Sequence, residues 1–247
     1  MRTRKGRRLR RKRKVSRRKR RSIPRFIGGS SINRIIYCFW TGTNEMSPQR
    51  KECMDFILAN AGCEVILIGP DNLEKYLLAD KPLHPAYPYL SETHKADYLR
   101  TYFMHFKGGG YTDIKKFEGD WNKAFDDISA QEDMILNSYH EKTPDDIAGG
   151  DRAKQLWKEL PANCLYIVRP RTEFTTKWYT QMVELLDSKL EALKEYPATN
   201  PQATPDTSPG YPIEWAEMLG RIYHNLACDY TDKFLFTCPV PICKDYR

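Results

Sequence analysis

Hydrophobic and polar positions change period several times along this chain, and each change marks an element. Continuous apolar runs predict buried strands at Arg34–Phe39 and Cys63–Ile68. Between them Ser47–Ala61 has helical spacing, with Pro48 placed where a first turn tolerates it. Asp71-Asn72-Leu73-Glu74 reads as the cap of a further short helix. Lys81 to Pro88 carries Pro82, Pro85 and Pro88, a spacing that excludes regular structure. Ala96, Leu99, Tyr102, Phe103 and Phe106 then recur on one helical stripe, with Asp97 and Arg100 side by side on the other flank. Gly108, Gly109 and Gly110 stop that helix. Tyr111 to Lys115 alternates, so a short strand is predicted there, with Asp113 and Lys115 on one face.

Further strands are predicted at Asp133–Asn137 and Leu165–Val168. A long amphipathic helix follows over Thr172–Tyr196, burying Trp178, Met182, Leu185, Leu186, Leu190 and Leu193. From Pro197 to Gly210 a proline stands at every fourth position, which predicts a mobile loop, either inert or a lid. Strands alternating with helices define an α/β chain with an open, mostly parallel sheet flanked by helices. Ligands of such sheets bind at the carboxyl ends of the strands. Trp40 and Asp113 both come near such ends.

Charge divides the chain in two. Residues 1–21 hold 15 of the 40 Lys and Arg and no acid, leaving 25 basic against 32 acidic residues in the rest, a formal charge of −7. The segment Arg2–Arg21 has only Leu9 and Val15 as apolar residues, so it is expected to be disordered in isolation. Its partners would be anionic: nucleic acid, an import receptor or a lipid surface. Without interleaved aromatic residues, nucleic-acid binding there would be driven by phosphate alone. Ser22–Ile32, with Pro24, Gly28 and Gly29, reads as a linker. No secretory signal and no apolar run of about 20 residues is evident, which points to a cytoplasmic or nuclear protein, soluble or held peripherally at a membrane. The seven cysteines lack Cys-x-x-Cys spacing and suit a reducing compartment better than a zinc site.

An acid–base pair on a helix, three glycines, and a second acid–base pair on a strand together suggest a site. The triple glycine matches neither a phosphate-binding loop nor a dinucleotide fingerprint, which removes kinase and dehydrogenase readings. The stretch Ala96-Asp97-Tyr98-Leu99-Arg100, then Gly108-Gly109-Gly110-Tyr111-Thr112-Asp113, resembles the core of the capsular-polysaccharide-synthesis type glycosyltransferases, related to the Asp-x-Asp sugar transferases with the GT-A fold. Ile35 to Gly42 is similar to their opening strand, and Tyr211 to Gly220 with Ile222-Tyr223-His224 to their closing helix. The likeness spans about residues 33–245 and departs at one place: Lys115 stands where the family has its second Asp.

Composition gives a disordered tail and linker over 1–32, and the resemblance implies a GT-A-like domain over 33–247. It implies transfer of a hexose from a nucleotide-sugar donor to a glycan acceptor. Trp40 would stack on the base, with Thr41, Asp97, Arg100, Gly109 and Tyr111 as further donor-binding residues. Asp113 and Lys115 would be catalytic. A Mn²⁺ or Mg²⁺ ion is implied, held by Asp113 with the diphosphate and a C-terminal group, His224 or Asp229. The alternative is that Lys115 supplies part of the metal's charge, since an ammonium cannot ligate a cation. A general base is needed only for inversion, and Asp145, Asp146, Asp151, Glu214 and Glu217 are the candidates. Tyr211, Trp215 and Trp157 read first as core aromatics, with an acceptor platform as the alternative. Two other readings stay open: a protein working through its basic tail, and a degenerate transferase that binds donor without turnover.

Overall fold

Alternation along the strands sorts the side chains into two cores, one on each face of a central sheet. In β1 (Ile35–Phe39), Tyr37 and Phe39 enter one core while Ile36 and Cys38 enter the other. In β6 (Leu165–Val168), Tyr166 and Val168 join the first and Leu165 and Ile167 the second. The computed structural model describes residues 32–246. The tail expected to be disordered lies outside the described residues.

The sheet has the order β2–β1–β3–β6–β5–β7, with β2 at Glu64–Ile68, β3 at Gly109–Thr112, β5 at Leu136–Asn137 and β7 at Phe234–Leu235. β1 pairs in parallel with β2 and β3, and β5 with β7; only β6 runs against its neighbours. The sheet is therefore open and mostly parallel, as the alternating pattern predicts. β4 (Phe117–Glu118) and β8 (Val240–Pro241) pair separately, which brings the C-terminal segment beside the chain that follows β3.

On the face of the smaller core lie α1 (Pro48–Asn60), through Cys53, Met54 and Ile57, and α3 (Trp121–Ser129), through Trp121, Phe125 and Ile128. Ser47 caps α1 and Pro48 occupies its first turn. The larger core holds α2 (Glu92–Phe106), α5 (Glu173–Glu195) and α6 (Ile222–Ala227), which is entered through a π-helical turn at Glu217–Arg221. Ser91 caps α2 and Thr172 caps α5. A short helix, α4 (Asp151–Gln155), packs against α6.

Three expectations need correction. The strand predicted over Tyr111–Lys115 begins at Gly109 and stops at Thr112. Asn72 does not cap the turn Leu73–Tyr76; its side chain instead bridges the Gly69 N–H and the Leu67 carbonyl. Pro197–Gly210 is not a loose lid. The Thr93 N–H and hydroxyl donate to the Pro201 carbonyl at 3.1 and 3.2 Å, Thr199 and Ser208 bond to each other, and Ala203 and Ser208 are fully buried. The loop is fastened over the start of α2. No helix among the described residues is long and apolar enough to cross a membrane.

Candidate active site

α2 is buried nearly all round. Leu99, Tyr102 and Phe103 fill its apolar stripe, and the polar flank is covered as well. Burial turns the Asp97–Arg100 pair from a helix-surface contact into an internal one, with side chains 6 % and 9 % exposed. Arg100 donates from one nitrogen to Asp97 at 2.6 Å and from the other to the Asn163 carbonyl at 2.5 Å. Its guanidinium also lies 4.4 Å from the Tyr111 ring centroid. Burial pushes the Asp97 carboxyl up, an effect that Arg100 offsets in part.

β3 carries the second pair to the sheet's edge. Tyr37 is opposite Tyr111, so the register sets Asp113 abreast of Phe39, at the carboxyl end of two parallel strands. Tyr111 and Asp113 share the face turned towards α2. The Tyr111 hydroxyl donates to Oδ1 of Asp113 at 2.5 Å, and Arg100 approaches the same oxygen to 3.9 Å. Lys115 reaches Oδ2 at 2.9 Å. Strand alternation is not what joins Asp113 and Lys115. A tight turn does so, closed by the Lys115 N–H on the Asp113 carbonyl at 2.7 Å. Burial pushes Asp113 up, but Lys115, Arg100 and the Tyr111 hydrogen bond outweigh it and hold the carboxyl below its usual range. For Lys115, burial acts downward and the adjacent Asp113 carboxylate overcomes it, so the ammonium is held charged. Its 9 % exposed side chain also lies 3.6 Å from the Cys164 sulfur and 4.9 Å from the Tyr246 ring centre.

One strand over, half-buried Trp40 continues from β1 and lines a cleft of about 390 Å³ with Asn44, Gly69, Asp71 and Asn72. Its indole N–H donates to the Asn44 carbonyl at 2.8 Å. The cleft opens on the ends of β1 and β2, while Asp113 lies at the end of β3, so the two are neighbours along the same edge. Thr41 fastens this loop to α2 through a 2.6 Å bond to the Glu92 carbonyl.

The structure thus brings Asp97, Arg100, Tyr111, Asp113 and Lys115 together, with Trp40 and Thr41 alongside. Gly109 it does not bring there. It sits at the other end of β3 with φ +94°, where a Cβ would come within 2.7 Å of the Ile35 carbonyl oxygen. Its glycine serves strand packing. His224 is fully buried, takes the Ala148 N–H on Nδ1 at 3.1 Å, and is driven down to about 4 by burial. Asp229 pairs with Arg152 on the surface. Asp145, Asp146, Asp151 and Glu214 are exposed, Glu217 is engaged by Lys189, and Tyr211 is a core residue bonded to His94. Trp157 is part-buried against the larger core, and Trp215 is half-exposed.

A divalent cation of the Mg²⁺ or Mn²⁺ kind needs several oxygen ligands. Here both oxygens of Asp113 are engaged, an ammonium stands against it, and Asp97 is buried on Arg100. No group of three or more His, Cys, Asp and Glu converges among the described residues. These side chains do not fit the metal.

Sequence reasoning passed over Glu141. Its carboxyl is pushed up to about 7, chiefly by burial and by Asp146, although the Asn163 backbone and Lys115 act the other way; Asp113 adds to the rise. It therefore shares a field with the Asp113–Lys115 pair and is a carboxyl able to exchange a proton near neutrality.

No protein-family model matches the sequence, and no curated protein matches it. Four solved chains match in structure. One of them, the PaToxG glycosyltransferase, has a TM-score of 0.45 and 12 % identity, over 81 % of this chain and 69 % of that one. A likeness of that degree bears on neither activity nor substrate.

Proposed function

We propose that the protein is a glycosyltransferase that moves a hexose from a nucleotide-sugar donor to a glycan acceptor. The observation that carries this reading is the convergence of Arg100, Asp113 and Lys115 at the carboxyl edge of the parallel β1–β3 pair, beside the cleft under Trp40. That edge is where open α/β sheets take their ligands. Trp40 offers the base a flat aromatic face. The two cations face the diphosphate, and charge placed in advance where the leaving group gains charge lowers the barrier. Asp97 holds Arg100 in place. The charge division favours an enzyme over a nucleic-acid binder, since the acidic body offers no extended surface for phosphates. Residues 1–21 would tether the enzyme to an anionic partner.

The test is donor hydrolysis by the purified chain across UDP- and GDP-sugars. Turnover of one donor, abolished by Asp113→Ala, is the expected result. Silence across the panel from a folded sample would remove the proposal.

A further inference from the structure

Resting on that reading, we infer that Lys115 stands in for the divalent cation, so that the site binds a nucleoside diphosphate through Lys115 and Arg100 without Mn²⁺ or Mg²⁺. The charges of the cluster support this. Asp97 and Asp113 are balanced by Arg100 and Lys115, and the set is neutral as built. A carboxylate at 115 would make the set more negative by two units, the charge of one divalent cation. The ammonium alone gives the site the net charge that a carboxylate and a divalent ion would give together.

The seat of that ammonium is fixed. Lys115 follows a turn closed at 2.7 Å, and its Nζ lies 2.9 Å from Asp113 Oδ2 and 3.6 Å from the Cys164 sulfur. The Tyr246 ring covers it at 4.9 Å, and the Arg50 guanidinium stands 4.7 Å from the same ring centre. A divalent ion ligated by Asp113 would meet Lys115 at close range in a poorly solvated pocket, where like charges repel strongly. It would also have to compete with the Tyr111 hydroxyl for Oδ1. An ammonium and a guanidinium are both hydrogen-bond donors, and the oxygens of a diphosphate are strong acceptors for them. Recognition and charge compensation then fall to the same two side chains.

The experiment uses the full chain with UDP, GDP, ADP and dTDP, titrated by calorimetry in EDTA and in Mn²⁺. Bound Mn²⁺ is read separately by electron paramagnetic resonance, in the absence of nucleotide. The expected result is binding of at least one nucleotide whose affinity differs by less than about twofold between the two conditions. The wild-type chain is expected to hold no Mn²⁺ at stoichiometric level. Lys115→Gln should weaken nucleotide binding about tenfold or more, the effect of losing a charge-assisted contact, and Mn²⁺ should not restore it. Lys115→Asp should bind Mn²⁺ and need it for nucleotide. Wild-type binding that vanishes in EDTA and returns with Mn²⁺ overturns the inference and leaves the transferase reading standing. Unchanged affinity in a folded Lys115→Gln chain also overturns it. No binding of any nucleotide in either condition overturns both.

Discussion

The Tyr111 hydroxyl donates a 2.5 Å hydrogen bond to the Asp113 carboxylate from two residues back on the same strand face. The ring that carries this hydroxyl is stacked on Phe39 at 5.8 Å and lies under the Arg100 guanidinium. Tyr111→Phe keeps both ring contacts and removes only the hydrogen bond. Bonds to charged groups contribute about 1.5–3 kcal/mol, so a loss of about that size is expected in urea denaturation near neutral pH. The Asp113 carboxyl is expected to titrate higher in the variant, which NMR of the carboxyl carbon would show. An unchanged titration would mean that Lys115 and Arg100 hold the charge alone.

Arg100 spans Asp97 and the Asn163 carbonyl with separate nitrogens. Removing one partner of a buried pair leaves an uncompensated charge, and Arg100→Ala is expected to cost about 3–5 kcal/mol. Arg100→Lys should recover little of it, because a single ammonium cannot reproduce the fork. The exposed pair Lys123–Asp127, 2.6 Å apart on α3, is the control: Lys123→Ala should cost no more than about 1 kcal/mol.

Glu141 gives the chain a pH dependence of known sign. Its folded carboxyl titrates at about 7, above its ordinary 4.5, so the fold prefers the protonated form. The resulting stability is fully present below 4.5 and is lost as pH rises through about 7. Relative to Glu141→Gln, the wild type should lose about 2–3 kcal/mol over that window, allowing for partial solvation. Urea midpoints of both chains at pH 5 and pH 8 decide it. A parallel response of the two chains would show that Glu141 does not titrate there.

Trp40→Ala addresses the cleft. Base–aromatic stacking contributes about 1–3 kcal/mol, so nucleotide affinity should fall about tenfold while the fold is kept. Equal affinity in calorimetry would place the base elsewhere.

Gly109→Ala separates packing from ligand binding. A side chain at φ +94° set against the Ile35 carbonyl is strained, and a loss of about 2–3 kcal/mol is expected, with nucleotide affinity preserved in the folded fraction.

Much of this architecture could be read from local pattern. Leu165–Val168 is continuous apolar sequence and forms a strand with those bounds, and Thr172 caps the helix expected to begin there. The alternation from Tyr111 onward marks a strand that carries Asp113 near its end, and β3 stops one residue before it. The two-residue strands β4 and β8 have no period to detect; each exists because the other is there. Trp121, Ala124, Phe125 and Ile128 have the helical spacing that α3 buries. Burial of Asp97 and Arg100 has no local signature, since their cover comes from the Asn163 carbonyl and from Tyr111, on other elements. Glu141 is hidden for a related reason: the burial that chiefly sets its proton affinity has no local signature, although Asp146, which adds to it, stands nearby in the sequence. The fastened loop depended on one carbonyl, Pro201, meeting the first turn of α2, which proline spacing cannot foretell.

The burial of α2 ties the fate of the site to the fate of the chain. Asp97 and Arg100 belong to the helix that fills the larger core, so a substitution that spoils their pairing also lowers the population of folded protein. Chaperones and proteases act on that population, and a loss of a few kcal/mol alters abundance several-fold or more. Variants at these two positions would then register in a cell as missing protein rather than as an inert one, and genetic screens for silent, full-level alleles should recover Trp40 instead.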